Sequence, residues 1–77
     1  MSDKLIAVFA DVLEVEAASL NDESSPDTED SWDSLAAMHL VAAIEETFDT
    51  QLTTKEIMKM ASIGLARKAL QDKGIDV

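Results

Sequence analysis

The 77-residue chain has no cysteine, which excludes disulfides, a thiolate nucleophile and any cysteine-type zinc site. One histidine, His39, is too little for a histidine-rich metal site. Two glycines, one proline and three aromatics (Phe9, Trp32 and Phe48) are too few for a sheet of short, turn-linked strands, and they favour helices. No apolar run approaches the roughly 18 residues of a membrane span. The opening MSDKLIAVFADVLEVE is interrupted by Asp11 and Glu14, where a signal peptide needs a continuous apolar centre. A cytoplasmic protein is expected. Positive charge is also scarce: 16 acids stand against 6 bases, for a net charge of −10. The bases are Lys4, Lys55, Lys59, Arg67, Lys68 and Lys73, so none lies between residues 5 and 54. Such a surface repels nucleic acid and steers a partner that carries a basic patch.

What is present reads as one helical domain over residues 1–77, with an apolar fraction of 47%, enough for a small core. Leu5, Ile6, Phe9, Val12 and Leu13 form one helical stripe over residues 3–15, with Ser2 as the expected cap and Asp3 at the positive end of the dipole. Residues 16–33, EAASLNDESSPDTEDSWD, show no period and read as a long loop around Pro26, with Leu20 and Trp32 as its apolar anchors. A second helix follows over residues 34–48. Leu40, Val41, Ile44 and Phe48 are expected inward, Ala37 assisting, and Leu35 and Met38 outside the stripe. Thr53 and Glu56 of TTKE form a capping box that opens a short third helix with Ile57, Met58 and Met60 as core filler. Ser62 caps a last helix with Ile63, Ala66 and Leu70 inward. Arg67, Lys68 and Lys73 are expected to complement that helix's C-terminal end, and Gly74 to stop it. Phe9, Leu13, Val41, Ile44, Phe48, Ile57 and Ile63 are expected to bury together. The fold class is all-α, a four-helix bundle with three longer helices, one short third helix and a long first loop.

The stretch SWDSLAAMHLV, residues 31–41, holds the residue that most needs explaining. Ser34 stands at the first turn of the second helix, where a serine can be simply a helix-start residue. Self-catalysed chemistry there is poorly served. The single histidine, His39, lies five residues on, about 140° around a helix from Ser34, and no lysine or arginine is near in sequence. The acids Asp22, Glu23, Asp27, Glu29, Asp30 and Asp33 do not make a calcium loop: Pro26 and Asp27 occupy the fifth and sixth positions of residues 22–33, and Asp33 the last. No metal site is expected.

DSLAAMHLVAAIEETFD after a long acidic loop resembles the acyl carrier protein family, and IEETFDTQLTTKEIMKMASI continues the pattern. Asp33-Ser34-Leu35 matches the family's attachment motif, with Glu45-Glu46 and Phe48-Asp49 following. The resemblance implies a carrier and not an enzyme. It implies that Ser34 is esterified by 4′-phosphopantetheine, donated from coenzyme A by a separate phosphopantetheinyl transferase. The arm's terminal thiol would then hold an acyl chain as a thioester. It also implies that Asp33 orients the serine or assists the transferase's metal, and that acyl-handling enzymes with basic patches read the second helix. Leu35, Met38, Glu45, Glu46 and Asp49 are the expected recognition residues. Trp32 in WDSL, and Ala36 and His39 where fatty-acid carriers often have acids, look more like a carrier dedicated to a specialised pathway. The expected carrier works as a monomer in fatty-acid, polyketide or related biosynthesis, without nucleic acid or membrane. An aminoacyl or peptidyl carrier, and a small acidic adaptor that binds a basic partner unmodified, share these features.

Overall fold

Asp3 begins the first helix in the computed structural model, which describes residues 3–77. Its carboxylate accepts the Leu5 and Ile6 amides at 3.1 and 3.2 Å, so α1 (Lys4–Leu13) starts from an aspartate cap. Asp3 thus takes the place expected for Ser2, which lies outside the described residues. The helix ends earlier than its apolar pattern predicts. Glu14 turns into the left-handed region at φ 58° and closes α1 before Val15. Leu5, Val8, Phe9 and Leu13 are buried, whereas Ile6 and Val12 are only partly covered. The buried stripe is therefore turned slightly toward Val8.

The segment expected as a plain loop is stitched together. Ala17–Ser19 forms a 3₁₀ turn. Asn21 donates its amide to the Ser24 hydroxyl at 3.0 Å, and Ser25 donates to the Thr28 hydroxyl at 2.9 Å. Leu20 and Trp32 are both buried, as their apolar character requires. The segment is also fastened to the last helix: Ile63 donates its amide to the Ser24 carbonyl at 3.0 Å, and Gly64 to the Asp22 carbonyl at 2.8 Å. A Cβ at position 64 would stand 2.9 Å from that Asp22 oxygen, so glycine is the residue that allows the approach.

Helix α2 (Ser34–Phe48) has the expected bounds, and Asp49 caps it at φ 50°. Leu40 and Ile44 are buried. Val41 and Phe48, expected in the core, remain partly exposed. Helix α3 (Thr54–Met58) opens on the expected capping box of Thr53 and Glu56, and none of its residues is buried. Met58, read as core filler, is 79% exposed; five residues make too little helix to bury both faces. Ile57 lies on its half-covered side. Helix α4 (Ile63–Asp72) is capped by Ser62 and buries Ile63, Ala66 and Leu70, as its pattern predicts. Gly74, at φ +87°, follows its end.

The core joins Leu5, Val8, Phe9, Leu13, Leu20, Trp32, Leu40, Ile44, Ile63, Ala66 and Leu70. The Phe9 and Trp32 rings meet edge to face, 5.1 Å apart at 61°, a favoured aromatic arrangement. Two cations depart from the expected dipole role. Arg67 reaches Asp3 at 2.7 Å and Asp22 at 2.9 Å, which ties α4 to the cap of α1 and to the first loop. Lys73 reaches Glu56 at 2.9 Å, which ties the end of α4 back to α3. No helix among the described residues is long and apolar enough to cross a membrane.

Candidate functional site

Trp32 determines where the site lies. Its ring is buried against Phe9, and its amide donates to the Glu29 carbonyl at 3.0 Å. The chain emerges from that anchor directly into Asp33 and Ser34, both exposed. Asp33 is extended (φ −110°, ψ −171°). Its carboxylate accepts the Ala36 amide at 2.9 Å, and its carbonyl the Ala37 amide at 2.9 Å. That leaves the Ser34 and Leu35 amides of the first turn facing outward at the positive end of α2.

Beside Ser34 is a hollow of about 310 Å³, lined by Pro26, Trp32, Asp33 and Ala37 as well as the serine itself. An apolar groove of about 290 Å³ runs on from it between α2 and α3, lined by Ala37, Met38, Val41 and Ile57. Beneath the groove is a cavity of about 30 Å³, lined by Trp32, Ala37, Leu40, Val41, Ile57 and Met60. Ala37 borders all three spaces. A dry cavity that admits benzene measures about 150 Å³, so the inner one holds no alkyl chain as packed.

Asp33, Ser34, Leu35 and Met38 are brought together at one end of α2, where Leu35 is 62% and Met38 68% exposed. Glu45, Glu46 and Asp49 are not part of that cluster. The rise of a helix puts Glu45 about 17 Å from Ser34 along the axis. Glu46 and Asp49 are exposed, but Glu45 is partly engaged within the fold. One of its oxygens accepts the Leu52 amide at 2.8 Å and fixes the turn out of α2. His39 is exposed, and helix periodicity keeps it off Ser34's face. No three His, Asp or Glu side chains converge as a metal site among the described residues. The arrangement offers an exposed hydroxyl on an anchored helix start, with an apolar trough beside it.

A family model described as the phosphopantetheine attachment site matches residues 3–66. The chain belongs to that family. The fold of this carrier domain is similar to the solution structure of a holo acyl carrier protein from Geobacter metallireducens, with a TM-score of 0.82 and 27% identity over 92% of this chain and 82% of that one. Carriers of this kind are not themselves enzymes; other enzymes act on the group that they hold. The prosthetic group of the family is 4′-phosphopantetheine, covalently attached. The first turn of α2 suits such a group, since its outward amides and positive dipole end favour a phosphate. The hollow and groove beside Ser34 leave room for the pantetheine portion beyond the phosphate.

Sequence reasoning did not find the Arg67 and Lys73 pairs. Arg67 lies 64 residues from Asp3 and 45 from Asp22, and no periodic pattern links positions so far apart. The groove wall was only half visible, because Val41 and Ile57 read as ordinary core positions.

Proposed function

We propose that Ser34 is the attachment residue and that this carrier holds acyl groups, as thioesters on the arm, for a biosynthetic pathway of fatty-acid, polyketide or related type. The carrying observation is the position of Ser34: an exposed hydroxyl at the start of α2, fixed by the buried Trp32 and the Asp33 cap, and opening onto a hollow that shares Ala37 with an apolar groove. When bound, the arm supplies the thiol that the cysteine-free chain lacks. Leu35 and Asp33 flank the hydroxyl, and Asp33 holds the first turn open by capping Ala36. The apolar lining of the groove favours an acyl cargo over an aminoacyl one.

The partners are a phosphopantetheinyl transferase and acyl-handling enzymes. Leu35 and Met38 offer them apolar contact close to the arm, and Glu46 and Asp49, with the free edge of Glu45, offer charge further along. Apolar surface contributes affinity at the centre of an interface, and charge contributes encounter rate and specificity. The test is mass spectrometry after incubation with coenzyme A and a broad-specificity transferase. The wild-type chain gains one phosphopantetheine, and Ser34→Ala gains none while keeping its helical circular dichroism. Modification of Ser34→Ala, or loss of modification only in Ser31→Ala, would overturn the assignment.

A further inference from the structure

Helix α3 differs from the other three in how it is held. α1, α2 and α4 each contribute buried residues to the core, and α3 contributes none. Its Met58 is largely in solvent, and only Ile57 and the following Met60 lean inward, over the small cavity. A wall that covers a void gains little from packing, because atoms facing empty space lack partners on that side. Its docking therefore leans on a polar contact to the end of α4, and that contact falls on a carboxylate that also caps α3. Glu56 accepts the Thr53 amide at 2.8 Å through one oxygen, closing the capping box. Lys73, just past the end of α4, donates to both oxygens of Glu56 at 3.1 and 2.9 Å. The pair lies at the surface, with side-chain exposures of 25% and 23%.

We propose that Glu56 and Lys73 form a clasp that holds α3 down, and that releasing it opens the cavity beneath α3 to an apolar guest. Lys73 is then a positioning residue for the groove: it touches no cargo, and it sets how readily the α3 wall lifts. The clasp itself is a property of the unmodified chain. Its consequence for a carried acyl group rests on the carrier reading of Ser34 proposed above.

The unmodified chain suffices for the experiment. Amide hydrogen exchange is measured residue by residue in wild type, Lys73→Gln, Glu56→Gln, the double variant and Lys73→Arg. Binding of the neutral dye N-phenyl-1-naphthylamine is followed by fluorescence in the same set. Gln at position 56 still completes a capping box, so Glu56→Gln removes the charge pair and spares the helix start. Exchange at residues 55–60 should quicken about two- to fivefold in either single variant, the scale of one surface ion pair. α1 and α2 should keep their wild-type rates, and the dye should bind more tightly by a similar factor. The double variant should be no faster than the singles, since both remove one interaction, and Lys73→Arg should restore wild-type behaviour. Unchanged α3 exchange, an equal acceleration across all helices, or faster exchange without added dye binding would each overturn the proposal. A chain that behaves as expected here yet takes no phosphopantetheine would remove the carrier reading of Ser34 and leave the clasp standing.

Discussion

At the scale of single residues, two acids occupy backbone positions that suit glycine. Glu14 and Asp49 both end helices with positive φ, at 58° and 50°. Aspartate tolerates this region better than glutamate, and a left-handed L-residue costs roughly 1–2 kcal/mol. Glycine removes that strain but loses more entropy on folding, a penalty of about 0.5–1 kcal/mol. Glu14→Gly should therefore stabilise the chain by about 0.5–1 kcal/mol in urea denaturation, and Asp49→Gly by less. A destabilised Glu14→Gly would show that the glutamate side chain has a role of its own. The caps at Thr53 and Ser62 were legible because each is a small polar residue placed directly before an apolar period; at α2 the helix-start reading fell on Ser34, and the cap is Asp33, one position earlier. The Glu14 and Asp49 caps were not legible, because nothing in a glutamate or an aspartate announces a positive φ.

At the scale of elements, α2 was the most readable, with both ends as its pattern predicts. Its buried face was read less well. A stripe of apolar positions tells which side turns inward but not how much lies opposite, and α3 is too short to cover Val41. The two phenylalanines should differ accordingly. Phe9 is fully buried beneath Trp32, and Phe9→Ala should cost about 3–5 kcal/mol. Phe48 is only partly covered, and Phe48→Ala should cost about half as much, in proportion to the area it removes from water. Chemical denaturation of the pair checks this, and equal losses would contradict the burial pattern. The first loop was legible as loop and as anchored by Leu20 and Trp32. Its docking on α4 was not, because those bonds are made by the backbone of Asp22, Ser24, Ile63 and Gly64, which the sequence does not display.

At the scale of the molecule, two electrostatic effects oppose each other. Asp3 is held below the ordinary 3.8 chiefly by its hydrogen bond from Arg67. Glu56 is held below 4.5 first by the Thr53 amide and then by Lys73. A depressed carboxylate binds its proton more weakly folded than unfolded, so its contribution is complete above the ordinary value. That contribution disappears as pH falls through the folded value. Against this, the net charge of −10 makes the folded chain repel itself at neutral pH, and protonation relieves that. In low salt the melting temperature should rise as pH drops from 8 to about 5 and fall below that. Arg67→Gln should make the acid-side fall shallower and leave the rise in place. A steady decline from pH 8 downward would show that self-repulsion is already screened.

The loose attachment of α3 also sets where a protease meets the chain. Trypsin cuts only after lysine and arginine, and the long run without either between residues 5 and 54 gives it no target in the first loop or in α2. Arg67 sits on α4, its guanidinium engaged by two aspartates. Lys55 and Lys59 are exposed within and just after α3, which has no buried residue. Because cleavage samples locally opened states, the first internal cuts should fall there and yield large fragments that end at Lys55 or Lys59. The rate of their appearance, read by mass spectrometry in minutes, then serves as a clock for the lifting of that wall.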